Sequence, residues 1–243
     1  MTANTDQIDW TEQNIKIDLA SVTTRVLFVD DDSDFAALVA DYLDDEHGFD
    51  VRVQTDVQTA LSRLETGPDI SCVVSDYAMP GMDGLEFLDA VKDRFPDMPF
   101  ILFAGQGSEE VASNAIRLGA DDYLEKDTGE TRYELLATRI KSCVTIARQQ
   151  QKLQDLHAAI EHAGHAMLVT ETDGTITYAN PTMEEITGYD LSELRGATPA
   201  ILKSGEHDDE FYRNLWETIL NGEVWEGEVI NEHKNGHQYV IDQ

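Results

Sequence analysis

Cys72-Val73-Val74-Ser75-Asp76-Tyr77-Ala78-Met79-Pro80-Gly81-Met82-Asp83-Gly84 is the stretch whose reading decides the fold. It starts as a short apolar run of strand type and passes into a Pro/Gly-rich loop, with one carboxylate, Asp76, at the junction. In open parallel α/β sheets, chemistry gathers at the carboxyl ends of the strands. Upstream, Val26-Leu27-Phe28-Val29-Asp30-Asp31-Asp32 is a second apolar run that ends in acids. Downstream, Tyr123-Leu124-Glu125-Lys126 is a strand-like piece that ends in a cation. If these runs are neighbouring strands, a group of carboxylates faces one ammonium. Such a site can hold a hard divalent cation and accept a phosphoryl group.

Around these runs the sequence alternates between two periods. Strand patterns cover Arg25 to Val29, Phe49 to Val53, Ile70 to Ser75, Phe100 to Phe103 and the neighbourhood of Tyr123-Leu124. Between them, Phe35, Leu38, Val39, Tyr42 and Leu43 recur at helical spacing. So do Val57, Ala60, Leu61 and Leu64, closed by Gly67-Pro68. Leu85, Leu88 and Val91 mark a third helix. A fourth carries Val111, Ala112, Ala115, Ile116 and Leu118, with Ser108 as its cap and Gly119 at its end. A final helix begins near Thr131. Five strands alternating with five helices predict a doubly wound (βα)5 domain on a parallel sheet. The alternation alone leaves the strand order open.

Taken together, Val29-Asp30-Asp31-Asp32, Asp76-Tyr77-Ala78-Met79-Pro80 with Gly84, and Tyr123-Leu124-Glu125-Lys126 resemble a response-regulator receiver domain, over residues 23–146. The resemblance implies a flavodoxin-like sheet ordered 2-1-3-4-5. It also implies a function, the acceptance of phosphate on Asp76 from a histidine kinase or phosphotransfer protein. Carried over by motif position, Asp31 and Asp76 are direct Mg²⁺ ligands, Asp30 acts through water, and the Ala78 backbone carbonyl completes the protein share. Asp32 stands one position too late to match. Lys126 offsets charge on the phosphoryl oxygens. One departure matters: the family carries Ser or Thr at the end of strand four, where this chain has Ala104, while the aromatic switch partner, Tyr123, is present. The expectation is that phosphorylation is retained and its structural readout is weakened or rerouted.

Thr131 to Ala163 contains neither Pro nor Gly, and Leu135, Ile146, Leu153, Leu156 and Ile160 fit heptad positions, with Ser142 and Gln149 interrupting the seam. The apolar face nearest Leu135 is expected to pack on the receiver sheet, and residues 147–163 are read as a helical linker whose later part can pair with a second copy. His157, His162 and His165 raise a metal or phosphohistidine reading, but no third ligand and no kinase-type helix surrounds them, so exposed helical histidines fit better.

In the second half, Leu168-Val169-Thr170 and Thr175-Ile176-Thr177-Tyr178 flank Asp173-Gly174 as a hairpin. Asn180-Pro181 opens a short helix that Gly188 ends. A helix over Glu210 to Leu220 precedes two strands, Trp225 to Asn231 and His237 to Ile241, joined around Asn235-Gly236. Gly174 to Asn180, Ile186-Thr187-Gly188-Tyr189, Trp225 to Glu228, Asn231 and Lys234-Asn235-Gly236 resemble a PAS sensor domain, residues 164–243. This implies a second α+β domain with an antiparallel sheet. Four of the family's five strands are visible, so the domain is read as incomplete at its C-terminus. PAS pockets take flavin, haem or metabolites. No cysteine lies between Gly164 and Gln243, which excludes a cysteine photocycle, and His207 is the candidate haem ligand. A ligand-free interaction or dimerisation role is equally open, so the PAS ligand is unknown or none.

Composition bounds the rest. The chain has 243 residues, 48 acids and 17 bases, for a net charge of −31, and the acids are spread throughout. Residues 1–22 read as an acidic tail. The charge argues against direct nucleic-acid binding, which needs basic patches. It suits a solvated acidic surface that molar salt screens, hence a salt-rich cytoplasm; the receiver–PAS arrangement itself resembles haloarchaeal receiver–PAS signalling proteins and hybrid sensor kinases. Unfolding as salt is added, rather than removed, would count against that. No apolar run approaches the roughly 20 residues of a membrane span, and no secretory signal is visible. Cys72 and Cys143 both fall at apolar positions and read as buried thiols. Two readings remain beside a receiver–PAS signalling protein. One is the front of a hybrid sensor kinase whose catalytic domains lie beyond residue 243. The other is a hydrolase with Asp76 as nucleophile, against which Ala78 stands where a second catalytic acid belongs.

Overall fold

The apolar runs of the first half are buried because both of their faces are covered. The computed structural model describes residues 23–67, 70–105, 109–126 and 130–243. The tail, Pro68 and the Ser108 cap lie outside the described residues. Strands β1 (Arg25–Val29), β2 (Asp50–Gln54), β3 (Cys72–Ser75), β4 (Phe100–Ala104) and β5 (Asp122–Glu125) form one parallel sheet in the order β2-β1-β3-β4-β5. Alternate residues point to opposite faces. Val26, Phe28, Cys72, Val74, Ile101 and Phe103 pack in one core, and Leu27, Val29, Val73, Phe100 and Leu102 in the other. Helices α1 (Ser33–His47) and α5 (Glu130–Glu161) cover the first face through Ala36, Val39, Leu43, Leu136, Ala137 and Ile140. Helices α2 (Val57–Thr66), α3 (Gly84–Arg94) and α4 (Glu109–Arg117) cover the second through Ala60, Leu61, Phe87, Leu88 and Ala115. The doubly wound class and the 2-1-3-4-5 order are therefore as expected.

Two apolar residues depart from their expected role. Leu38 and Ile116 are exposed, because the buried stripes of α1 and α4 centre on Ala36, Val39 and Leu43 and on Ala115, leaving the two at their margins. Leu135 packs on the receiver core, as expected of the helix face nearest it. Part of the acidic excess serves helix termini. Asp32, Asp56 and Asp83 each accept backbone N–H groups at the starts of α1, α2 and α3, and Asp83 forms a capping box with Glu86.

The chain divides into two compact units, one ending at Gln149 and the other starting at Gln150. The second unit holds two antiparallel pairs: β6 (Leu168–Thr170) with β7 (Ile176–Ala179), and β8 (Glu228–Glu232) with β9 (Gln238–Asp242). Between the pairs run α6 (Pro181–Thr187), α7 (Leu191–Leu194), a 3-10 turn over Pro199–Leu202, and α8 (Asp209–Leu220). Asn180 caps α6 and Gly188 closes it at φ 74°, a left-handed conformation that favours glycine. β8 starts three residues later than the sequence suggests. Trp225 instead donates its Nε1–H to Asn214 Oδ1 at 3.1 Å and packs edge-on against Phe211.

Candidate functional site

Sheet order and strand polarity decide which side chains meet. Because all five strands are parallel, the ends of β1, β3 and β5 open on one edge of the sheet. The order reverses between β1 and β3, where open α/β folds place their sites. Asp30 follows β1, Asp76 follows β3 and Lys126 follows β5. Backbone bonds from Asp76 N to Val29 O (2.8 Å) and from Lys126 N to Ala104 O (2.7 Å) carry the strand register into the site.

Lys126 Nζ lies 2.6 Å from Asp30 Oδ2 and 2.9 Å from Asp76 Oδ1. Asp30 and Asp76 are buried, and Asp31 beside them is exposed. Oxygens of Asp30, Asp31 and Asp76 all lie within 4.8 Å of one another. Burial pushes the Asp30 carboxyl above the ordinary carboxylate range, against the pull of the Lys126 hydrogen bond and charge, and the Asp76 charge adds to the rise. Asp76 Oδ1 is buried and takes no hydrogen bond, Lys126 meeting it as an ion partner only. Three hard oxygen donors, one of them a buried carboxylate oxygen met among the described residues by the Lys126 ammonium alone, form a set that suits a hard divalent cation.

The acidic run divides its work. Asp30 points inward, accepting a bond from Asp32 N at 3.1 Å. Asp32 caps α1 by accepting from Asp34 N and Phe35 N, which is why it takes no part in the carboxylate group. Ala78 lies exposed in the loop after β3. Gly84 opens α3 against this loop. A Cβ there would lie 2.3 Å from the Asp76 carbonyl oxygen and 2.7 Å from Leu102, so only glycine fits. Ala104 is fully buried at the end of β4. The Tyr123 hydroxyl is also buried and has no hydrogen-bond partner among the described residues, and burial raises its ionisation above the usual phenol range, helped by Glu125.

One contributor escaped the sequence reading. The Phe35 ring lies 4.9 Å from Lys126 Nζ, a cation–π contact that helps hold the ammonium over the acids. The spacing of α1 marks Phe35 as a core residue, and nothing local says that its ring face meets a lysine 91 positions away.

In the second unit, a cavity of about 1100 Å³ is lined by apolar side chains such as Met183, Leu215, Trp216 and Val229, with Lys203, Asn231 and Tyr239 among its polar groups. His207 does not line it. Its Nε2 accepts the Ile230 N–H at 2.9 Å and its ring stacks on Phe211, so the candidate haem ligand stands outside the cavity with Nε2 engaged by the backbone. Of the other histidines, His165 lines the cavity, while His157 and His162 contact their own helix. Asn180 does more than cap. Fully buried, it also accepts the Met167 N–H and donates to the Ile160 and His165 carbonyls, tying the hairpin to the preceding chain.

Comparison with known proteins agrees with this geometry. A family described as response regulator receiver domain matches residues 26–138, and one described as PAS fold matches residues 154–242. The chain is 32% identical over 142 residues to the transcriptional regulatory protein FixJ of Bradyrhizobium diazoefficiens, covering 57% of this chain and 68% of that one. It is 30% identical over 164 residues to the nitrogen assimilation regulatory protein NtrX of Azorhizobium caulinodans, covering 66% of this chain and 36% of that one. The crystal structure of NtrX from Brucella abortus superposes with a TM-score of 0.50 at 31% identity, over 60% of this chain and 32% of that chain. This chain thus spans about a third of the NtrX relatives it matches. Among the described residues, no helix is long and apolar enough to cross a membrane. The chain belongs to the proteins of two-component signalling, with a response regulator receiver domain followed by a PAS domain.

Proposed function

We propose that Asp76 is the phosphoacceptor of a Mg²⁺-dependent relay and that the PAS unit is the sensory or interaction module coupled to it. The observation that carries this reading is the shared ammonium: Lys126 Nζ within ion-pair distance of both Asp30 and Asp76, with Asp31 alongside. One carboxylate oxygen of Asp76 attacks the phosphorus of a phosphohistidine on a histidine kinase or phosphotransfer protein. The P–N bond breaks as the P–O bond forms, and the departing imidazole takes up a proton. Asp30, Asp31 and Asp76, with the Ala78 carbonyl, would hold Mg²⁺, which supplies charge neutralisation at the phosphoryl oxygens. Lys126 exchanges its carboxylate partner for a phosphoryl oxygen and keeps the product charge balanced. The new dianion then reorders nearby loops, which is the general route from phosphorylation to output. The acidic surface fits a salt-rich cytoplasm.

The test is incubation of wild type and Asp76→Asn with acetyl phosphate and Mg²⁺, read by intact mass. Wild type gains one phosphoryl group, acetate leaves, and the variant stays unmodified. Chelator abolishes the adduct. An adduct on Asp76→Asn as abundant as on wild type overturns the assignment.

A further inference from the structure

Helix α5 carries two apolar stripes, and only the first is covered. Tyr133, Leu136, Ala137, Ile140 and Val144 are buried in the receiver core. Farther along, Ile146, Leu153, Leu156 and Ile160 are exposed by 54, 67, 52 and 37%. At 3.6 residues per turn the second set is rotated by about 180° from the first. It is therefore not a continuation of the face that packs on the sheet. Its spacing of seven, three and four residues is that of heptad a and d positions, with Gln149 at the intervening d position.

We propose that this stripe pairs with the same stripe of a second copy of the chain, as a parallel two-stranded coiled coil over residues 146–160. Charge selects the partner. Acids make up 48 of the 243 residues, yet between Leu135 and Ile160 there is a single one, Asp155. The positions flanking the seam, Thr145, Gln150, Lys152, His157 and Ala159, hold none. Two chains of net charge −31 repel over most of their surfaces, and this strip is where two copies approach without bringing carboxylates together. Gln149 selects the direction. In a parallel pair the two Gln149 side chains share one layer and can bond to each other. In an antiparallel pair each would face an aliphatic a-position residue, Ile146, Leu153 or Ile160, and bury an amide without a partner.

The full chain is measured by light scattering and sedimentation in low and molar KCl, beside Leu153→Glu/Leu156→Glu. Both substituted residues are solvent-exposed, and circular dichroism verifies that the fold is kept. Wild type is expected at twice 27.2 kDa, with the dimer fraction rising in molar salt, and the double variant at 27.2 kDa. Gln149→Cys, in a Cys143→Ser background, is expected to form an intermolecular disulfide under mild oxidation. A monomeric wild type in both salts, or a double variant that remains dimeric, overturns the pairing. A dimeric Gln149→Cys protein that does not cross-link overturns the parallel direction.

Discussion

Replacing Lys126 by Met keeps the length of the side chain and removes its charge, which isolates the electrostatics of the acidic edge. The ammonium is shared by Asp30 and Asp76 at 2.6 and 2.9 Å, and their side chains are only 1 and 10% exposed. Without it, two buried carboxylates face each other with no counter-charge. Breaking a buried pair by deleting one partner costs about 3–5 kcal/mol. The lower end applies here, because Asp30 has an escape: it can take up a proton. Burial already lifts its carboxyl above the ordinary range, and Lys126 supplies the largest opposing pull. We expect a loss of about 3 kcal/mol at neutral pH in chelator. By calorimetry this is a fall of about 10 °C in the receiver transition. The sign of the pH dependence follows from proton binding. A carboxyl raised in the folded state binds protons more tightly there than in the unfolded chain, so its contribution to stability declines as pH rises. The deficit of the variant is then largest at neutral and alkaline pH. It shrinks as pH falls through the raised Asp30 value toward that of an unfolded carboxyl. Added Mg²⁺ should recover more stability in the variant than in wild type, since a ligand of the folded state stabilises it by mass action. A variant as stable as wild type in chelator at neutral pH, or a deficit independent of pH, would refute this account.

Two further outcomes are expected. Ala104→Thr inserts a hydroxyl at a fully buried position on the strand next to Tyr123, whose own hydroxyl lacks a hydrogen-bond partner among the described residues. It should cost about 1–3 kcal/mol in overpacking while enlarging the phosphorylation-dependent change in tyrosine fluorescence, and an unchanged response counts against Ala104 as the weak point of the switch. Burial raises the Cys143 thiol to about 11, and Cys72 lies well above the usual range. Because the thiolate is the nucleophile, iodoacetamide at mildly alkaline pH should label folded Cys143 about 100-fold more slowly than a free cysteine, with the rate climbing toward pH 11. Rapid labelling of the folded chain at pH 8 contradicts that environment.

Period and punctuation in the sequence were enough for the elements of the receiver: β4 is apolar throughout because both faces of the sheet are covered, and the run Asp30-Asp31-Asp32 announces a strand end. The meeting of Asp30, Asp76 and Lys126 was legible too, because strand ends in a parallel sheet share one edge, and three motifs at the ends of three strands must converge once the order is known. What composition could not say is which neighbour each group chooses. Asp32 turns away to cap α1 through neighbours two and three positions on, while Phe35 reaches under Lys126 and His207 accepts the backbone N–H of Ile230 through contacts that only the fold brings about. The two stripes of α5 show the same division. The spacing of their residues is written in the sequence, but only packing decides that Leu135 belongs to the core and that Leu153 and Leu156 do not, since burial depends on what the rest of the chain brings alongside a helix face.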